Sequence, residues 1–180
     1  MEQEMKFRVP SLADVVARLR DAGAVRHAAA ALEDNWVLDS AERTLASSGR
    51  LLRVRRWGGS CVVTTKGPAA FAGGVKSREE HEAVVADAGD ALTVFAALGF
   101  EPVRRYQKRR EVWRLAGVEV ALDETPMGAF VEVEGEGARL PAAARSLGLD
   151  PSHALAGTYL ELWRRHRESH PDAPEDMIFP

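Results

Sequence analysis

Charged residues recur at every second position along much of this chain, and they come in same-sign pairs. Arg53 and Arg55 stand two apart, as do Lys108 and Arg110, with Lys6 and Lys66 adding to the basic set. Glu2 and Glu4, Glu80 and Glu82, and Glu132 and Glu134 are the acidic pairs, joined by Asp123. Successive side chains of a β-strand point to opposite faces, so residues two apart share a face. One charged face is what any half-solvated sheet presents, and for a single strand that reading suffices. The same pattern on nearly every strand is different, because like charges side by side repel. It makes sense where each pair faces a ligand of opposite sign. Arginine forks meet the oxygens of a polyphosphate two at a time, and carboxylates suit a hard divalent cation.

The elements that must carry these residues follow from periodicity and punctuation. Alternation over residues 1–9 predicts a strand ended by Pro10. Ser11 is placed to cap a helix through Leu12, Val15, Val16 and Leu19, closed by Gly23. A strand is expected around Trp36–Leu38, then a polar loop from Asp39 to Gly49. Leu51–Trp57 and Cys61–Lys66 read as a hairpin turned by Gly58-Gly59. Residues 67–77 read as a mobile Gly-rich loop, residues 78–85 as a strand and residues 88–98 as a helix closed by Gly99. Strands are expected over Pro102–Leu115, Val118–Glu124 and Phe130–Glu134, then helices over 138–147 and 151–166. The division predicted is one domain over 1–166 and a Pro-rich, acidic, loosely ordered tail over 167–180.

A weak repeat runs through this order. Glu2-x-Glu4 leads through a helix into a strand, and Glu80-x-Glu82 does the same. Two similar halves closing into a barrel would turn the charges inward and the apolar faces outward, under cover of about four amphipathic helices. A charged interior needs compensation by water, ions or a substrate, so the architecture itself argues for a ligand.

The pentapeptide Glu2-Gln3-Glu4-Met5-Lys6 is an ExExK signature, and it is followed in order by Leu52-Arg53-Val54-Arg55, Thr65-Lys66, the segment 76–82, Lys108-Arg109-Arg110, the segment 120–124 with Asp123, and Phe130-Val131-Glu132-Val133-Glu134. The series resembles the CYTH family of triphosphate tunnel proteins over about residues 1–162, and Tyr159-Leu160-Glu161-Leu162 looks like that family's closing helix. The resemblance implies an α+β fold, an eight-stranded antiparallel barrel with a charged interior, and a requirement for Mg²⁺ or Mn²⁺. It implies phosphate contacts from Lys6, Arg53, Arg55, Lys66, Lys108 and Arg110. It implies metal ligation by Glu2, Glu4, Asp123, Glu132 and Glu134, with Glu80 and Glu82 orienting the basic groups or water. Thiamine-triphosphatase-like members tend to carry Tyr beside the aspartate matching Asp39, where this chain has Val37 and Leu38. Lys66 is then the candidate water-activating base, on condition that neighbouring cations lower its pKa.

Composition narrows the classes. With 180 residues and a net charge of −3, the chain has a core-forming length and no overall basic excess for nucleic acid or membrane surfaces. Cys61 is the single cysteine, which leaves no intrachain disulfide and no cysteine zinc site. The charged N-terminus and the lack of a long apolar run predict a cytoplasmic protein without a membrane segment. Gly73-Gly74-Val75-Lys76-Ser77 lacks P-loop spacing, His166 and His170 read as a solvated helix end, and Trp36, Trp57, Trp113 and Trp163 read as core or barrel cover. The function expected is metal-dependent hydrolysis of a triphosphate: inorganic triphosphate, thiamine triphosphate or a nucleoside triphosphate. The alternatives are class IV adenylate cyclase chemistry, giving cyclic AMP and pyrophosphate, and non-catalytic triphosphate or polyphosphate binding. The expected partner is a triphosphate-containing small molecule; a homodimer is left open.

Overall fold

The computed structural model describes residues 2–180, with the side chain of Glu2 outside the description. The chain runs β1 (Glu2–Val9), α1 (Leu12–Asp21), β2 (Val25–Asp39), α2 (Thr44–Ser47), β3 (Leu51–Trp57), β4 (Ser60–Lys66), β5 (Ala70–Ala72), β6 (Val75–Arg78), β7 (Glu80–Val85), α3 (Ala88–Ala97), β8 (Glu101–Leu115), β9 (Val118–Thr125), β10 (Gly128–Glu134), α4 (Arg139–Ser146), a 3-10 turn (Pro151–His153) and α5 (Tyr159–Ser169).

The described strands form one ten-stranded antiparallel sheet in the order β5-β6-β1-β10-β9-β8-β2-β3-β4-β7. The anticipated closed barrel of eight strands therefore becomes a curled sheet whose ladder ends on β5 and β7. It is joined across the gap by the chain itself. β6 pairs with β1 and β7 pairs with β4, yet only Glu79 separates β6 from β7. Arg78 secures the crossing by donating to the carbonyls of Gly67 and Gly49, and Gly67 N donates to the Glu79 carbonyl at 2.9 Å.

The repeat is visible in the topology. β1-α1-β2 and β7-α3-β8 follow the same course, and the two 15-residue strands β2 and β8 pair at the middle of the sheet. The order β1-β10-β9-β8 mirrors β7-β4-β3-β2 about that pair. β2 exceeds the span read from sequence, because Glu33, Asp34 and Asn35 hide strand character behind polar side chains, whereas β8 matches its expected span to within one residue. The segment 67–77 is not a plain loop: β5 and β6 form a short hairpin there, turned by Gly73-Gly74 at φ +58° and +78°.

The apolar faces point outward under helices. α1 and α4 cover Met5, Phe7, Val120, Leu122, Val131 and Val133, and α3 covers Leu38, Leu52, Val54 and Cys61. Ser11 occupies the N-cap position of α1 without a side-chain cap bond. The helix expected over 151–166 is two pieces. Asp150 caps the 3-10 turn, and α5 starts later behind a capping box of Thr158 and Glu161.

The C-terminal tail is docked rather than loose. β8 outruns β9, which leaves residues 105–107 without a strand on that side. The tail fills the place: Gln107 N donates to Met177 O at 2.7 Å and Met177 N to Arg105 O at 3.1 Å. Met177 is fully buried beside Val37, Tyr106, Met127, Phe130, Tyr159 and Trp163. Met177→Asp should release the tail by placing a charge in this cluster. The expected result is rapid proteolysis within 170–180 and loss of amide-exchange protection at Arg105 and Gln107; retained protection would refute the docking.

Candidate functional site

Strand register decides which charges meet. Cys61, Val63 and Val85 pack outward against α3, so Thr64 and Lys66 of β4 and Glu80 and Glu82 of β7 face inward. Leu52 and Val54 also face outward, which turns Leu51, Arg53, Arg55 and Trp57 inward. The inward faces enclose a cavity of about 230 Å³. Lys6, Arg53, Arg55, Lys66, Lys108 and Arg110 line it together with Glu4, Glu80, Glu82, Glu132 and Glu134. Of the described site residues read from sequence, only Asp123 is not among these lining residues; the Glu2 side chain lies outside the described residues.

Asp123 is fully buried behind the basic residues. It accepts from Arg110 Nε at 2.7 Å and Nη2 at 2.6 Å, from Lys108 Nζ at 3.1 Å, and from the Tyr159 hydroxyl at 2.7 Å. Its oxygens are committed to holding cations in place. Glu132 also accepts from Arg110, and forms an ion pair with Lys6 at 3.0 Å. Burial alone would push Lys6 down, but Glu132 and Glu4 outweigh it and hold the ammonium above its usual range. The same contest leaves Arg110 well above its ordinary value, with Asp123 and Glu132 prevailing over burial.

On the opposite wall Arg53 donates to the Tyr106 hydroxyl at 3.2 Å and to Thr64 Oγ1 at 3.1 Å, and Thr64 donates to Glu82 at 2.8 Å. Arg53 and Arg55 both approach Glu82, at 3.5 and 3.6 Å. Lys66 is hydrogen-bonded to Glu80. The base role for Lys66 required crowding by cations, whereas the structure sets a carboxylate against it. Glu80 thus lies against Lys66, and Glu82 against Arg53 and Arg55.

Carboxylates gather at the other side. Glu4, Glu119, Glu132 and Glu134 all line the cavity, and Glu134 pairs across the ladder with both Glu4 and Glu119. Burial, then the negative charges of Glu119, Glu132 and Glu4, push Glu134 up to about 7. Such crowding of oxygen donors suits a hard cation. Among the described residues no three of these side chains converge as a ready cage, and Glu4 is paired with Lys76 at 2.9 Å.

Several contributors escaped the sequence reading. Glu33 is fully buried at 3.5 Å from Lys108 and 3.8 Å from Arg110. Tyr106 and Tyr159 bring phenols into the cavity although Val37 stands where a Tyr was sought. Lys6 lies 4.3 Å above the Tyr159 ring. Tyr106 shares a strand face with Lys108 and Arg110, which was a usable signal; Glu33 had none. Asp39 belongs to another task, capping α2 through bonds from Leu45 N and Ala46 N, both at 2.9 Å.

Glu33 gives a pH prediction. Burial would raise its pKa, but Lys108 and Arg110 lower it from 4.5 to about 2. The depressed value means stability present in full above the unfolded pKa and lost as pH falls from about 4.5 towards 2. Glu33→Gln should remove roughly 3 kcal/mol of that pH-dependent stability. Urea midpoints at pH 7 and pH 3 check this: the variant's difference should be smaller than the parent's, and equal differences would refute the role.

The family model described as CYTH domain matches residues 1–146. A Methanocaldococcus jannaschii protein named "Putative adenylate cyclase" is 27% identical over 135 residues, 74% of this chain and 76% of that protein. Among solved structures, a Vibrio parahaemolyticus protein described as a putative adenylate cyclase superposes with TM-score 0.81 at 20% identity, covering 91% of this chain and 97% of that one. A Hippeastrum protein, described as a putative adenylyl cyclase that reveals a dominant triphosphatase activity, superposes with TM-score 0.69 at 21% identity, over 92% of this chain and 96% of that one. With a family model matching residues 1–146 and the fold shared, this chain belongs to the CYTH domain family.

Proposed function

We propose that this protein hydrolyses the terminal phosphoanhydride bond of a triphosphate in a metal-dependent reaction. The observation that carries the reading is one cavity in which basic side chains from β1, β3, β4 and β8 face each other across a space, with Glu4, Glu119, Glu132 and Glu134 gathered on one side. Lys6, Arg53, Arg55, Lys66, Lys108 and Arg110 bind and orient the phosphate oxygens and offset charge developing on them during transfer. Asp123, Glu132 and Glu33 hold the inner cations at fixed positions before substrate arrives. Glu4, Glu132 and Glu134, joined by Glu119, would hold Mg²⁺ or Mn²⁺, and these oxygen donors fit either ion. When bound, the ion would supply neutralisation of charge on the phosphate oxygens.

Adenylate cyclase chemistry is the second reading, favoured by the name of the 27% identical relative. The same phosphate contacts would serve, with a 3′-hydroxyl attacking the α-phosphate and pyrophosphate leaving. Incubation with inorganic triphosphate, thiamine triphosphate and ATP, each with Mg²⁺, Mn²⁺ or chelator, separates the readings by product. Metal-dependent orthophosphate is expected. Cyclic AMP with pyrophosphate would replace hydrolysis by cyclisation, and metal-dependent binding without turnover would replace both by a binding protein.

No helix of the described residues is long and apolar enough to cross a membrane.

A further inference from the structure

Helix α5 and the tail lie beyond residues 1–146, the part of the chain that the family model matches. They nevertheless finish the cavity, because Thr158, at the cap of α5, and Tyr159 and Leu160 of its first turn line it. The capping box of Thr158 and Glu161 fixes where that turn begins. Tyr159 and Trp163 are four apart, share one helix face and are both buried. The tail holds this helix in place. Trp163 Nε1 donates to the carbonyls of Pro174 and Glu175, both at 3.2 Å, and Arg167 Nε to that of Ala173 at 3.2 Å. Tyr159 in turn meets groups from four strands. Its hydroxyl donates to Asp123 of β9 at 2.7 Å. Phe130 of β10 packs edge-on against its ring, with centroids 5.4 Å apart and planes at 88°. Over the ring lie the ammonium groups of Lys6 from β1, 4.3 Å from the centroid, and of Lys108 from β8, at 4.9 Å.

Packing accounts for part of this, since Tyr159 fills space beside Phe130, Trp163 and Met177 as any core aromatic does. Two features go further. Both ammonium groups are almost fully buried, Lys6 at 4% and Lys108 at 3% exposure. A cation is drawn most strongly to the negative face of an aromatic ring when both are out of water. The two like charges also share Glu132, at 3.0 and 3.8 Å. A lysine meets phosphate as a point charge on a flexible stem, so its use depends on what holds the stem. Glu132 draws both ammonium groups towards one carboxylate, and the ring gives each a second attraction and so a defined position. The bond to Asp123 and the contact with Phe130 fix the ring itself.

We propose that Tyr159 is a positioning residue whose ring face sets Lys6 and Lys108 for the phosphate chain, so that the C-terminal helix completes the binding site the sheet begins. The inference rests on the phosphate-binding reading of the cavity. Inorganic triphosphate with Mg²⁺ is the probe, measured by calorimetric binding beside thermal unfolding and turnover of the same samples. Tyr159→Phe keeps the ring and should bind within about threefold of the parent. Phenylalanines carrying one, two or three ring fluorines at position 159 keep the shape and drain the negative face. Affinity should fall stepwise along that series, by about tenfold at its end, in line with two weakened cation–ring contacts. In a Lys6→Met background the series should span only about threefold, because one of the two cations is gone. If Lys6→Met does not fold, the first series decides alone. A flat series, or one equally steep with and without Lys6, overturns the proposal and leaves Tyr159 as packing. So does a fall in Tm without a change in affinity. A large loss already in Tyr159→Phe gives the role to the hydroxyl on Asp123 and overturns the proposal too. The expected series without orthophosphate release would sink hydrolysis and leave the positioning role standing. Failure of the parent to bind triphosphate would sink both.

Discussion

Arg110→Ala should destabilise the protein by about 3–5 kcal/mol, the usual cost of removing one member of a buried ion cluster. Arg110 is 9% exposed and donates to both Asp123 and Glu132. Its loss leaves Asp123, at 0% exposure, with Lys108 and the Tyr159 hydroxyl, and strips Glu132 of a donor. Burial opposes the charged form of every group here, and only the mutual pairing offsets it. The expected readout is a fall in Tm of roughly 10 °C, taking a few degrees per kcal/mol for a chain of this size. Asp123→Asn tests the same cluster from its other side, since it keeps the shape and removes the charge that Lys108 and Arg110 face. Little change of Tm in both variants, with triphosphate affinity lost, would show that these groups are substrate contacts with no structural share.

That division between structural and substrate-facing charge was only half legible in the sequence. Period-two alternation identified the inward residues correctly, because a register slip of one residue would have turned an apolar face into the channel. Thus Lys6, Arg53, Arg55, Lys66, Lys108, Arg110, Glu4, Glu132 and Glu134 reach one cavity as their spacing implied. What alternation does not encode is depth along the channel. Asp123 and Glu132 carry the same kind of side chain on adjacent strands, yet one is sealed behind Arg110 and Lys108 while the other lines the cavity. Lys66 is similar: its partner Glu80 comes from a strand 14 residues away, and pairing of β4 with β7 is a tertiary fact.

The fold was more legible than its closure. Apolar alternation and helix punctuation located most elements, and the repeat pointed to two similar halves, which the mirrored strand order contains. The sheet's edges depended on Glu79, a single residue that carries the chain from the β1 side to the β4 side, and on β5-β6, whose strands of three and four residues around Gly73-Gly74 read as loop. The tail misled for a related reason. Pro171, Pro174 and acidic neighbours look unstructured, but β8 is longer than β9 and offers backbone groups that Met177 satisfies. Composition reports a segment's own preference and not the vacancy it meets.

Arg53→Ala should behave in the opposite way to Arg110→Ala, with the fold kept and the ligand lost. Arg53 is also buried, at 8% exposure, but its partners differ. Tyr106 and Thr64 are neutral, and the Glu82 side chain is 45% exposed and can be solvated when the arginine goes. No buried anion is stranded, and repulsion with Arg55 is relieved, so Tm should change by no more than about 3 °C in either direction. Triphosphate affinity should fall by roughly 100-fold, the equivalent of losing one charge-assisted, two-bond contact. Arg53→Lys should fall between, since it keeps the charge and loses the fork. Calorimetric binding of inorganic triphosphate with Mg²⁺, beside thermal unfolding of the same samples, decides the matter. A collapse in stability with affinity preserved would place Arg53 in the scaffold and remove the reason for reading this wall as the phosphate side.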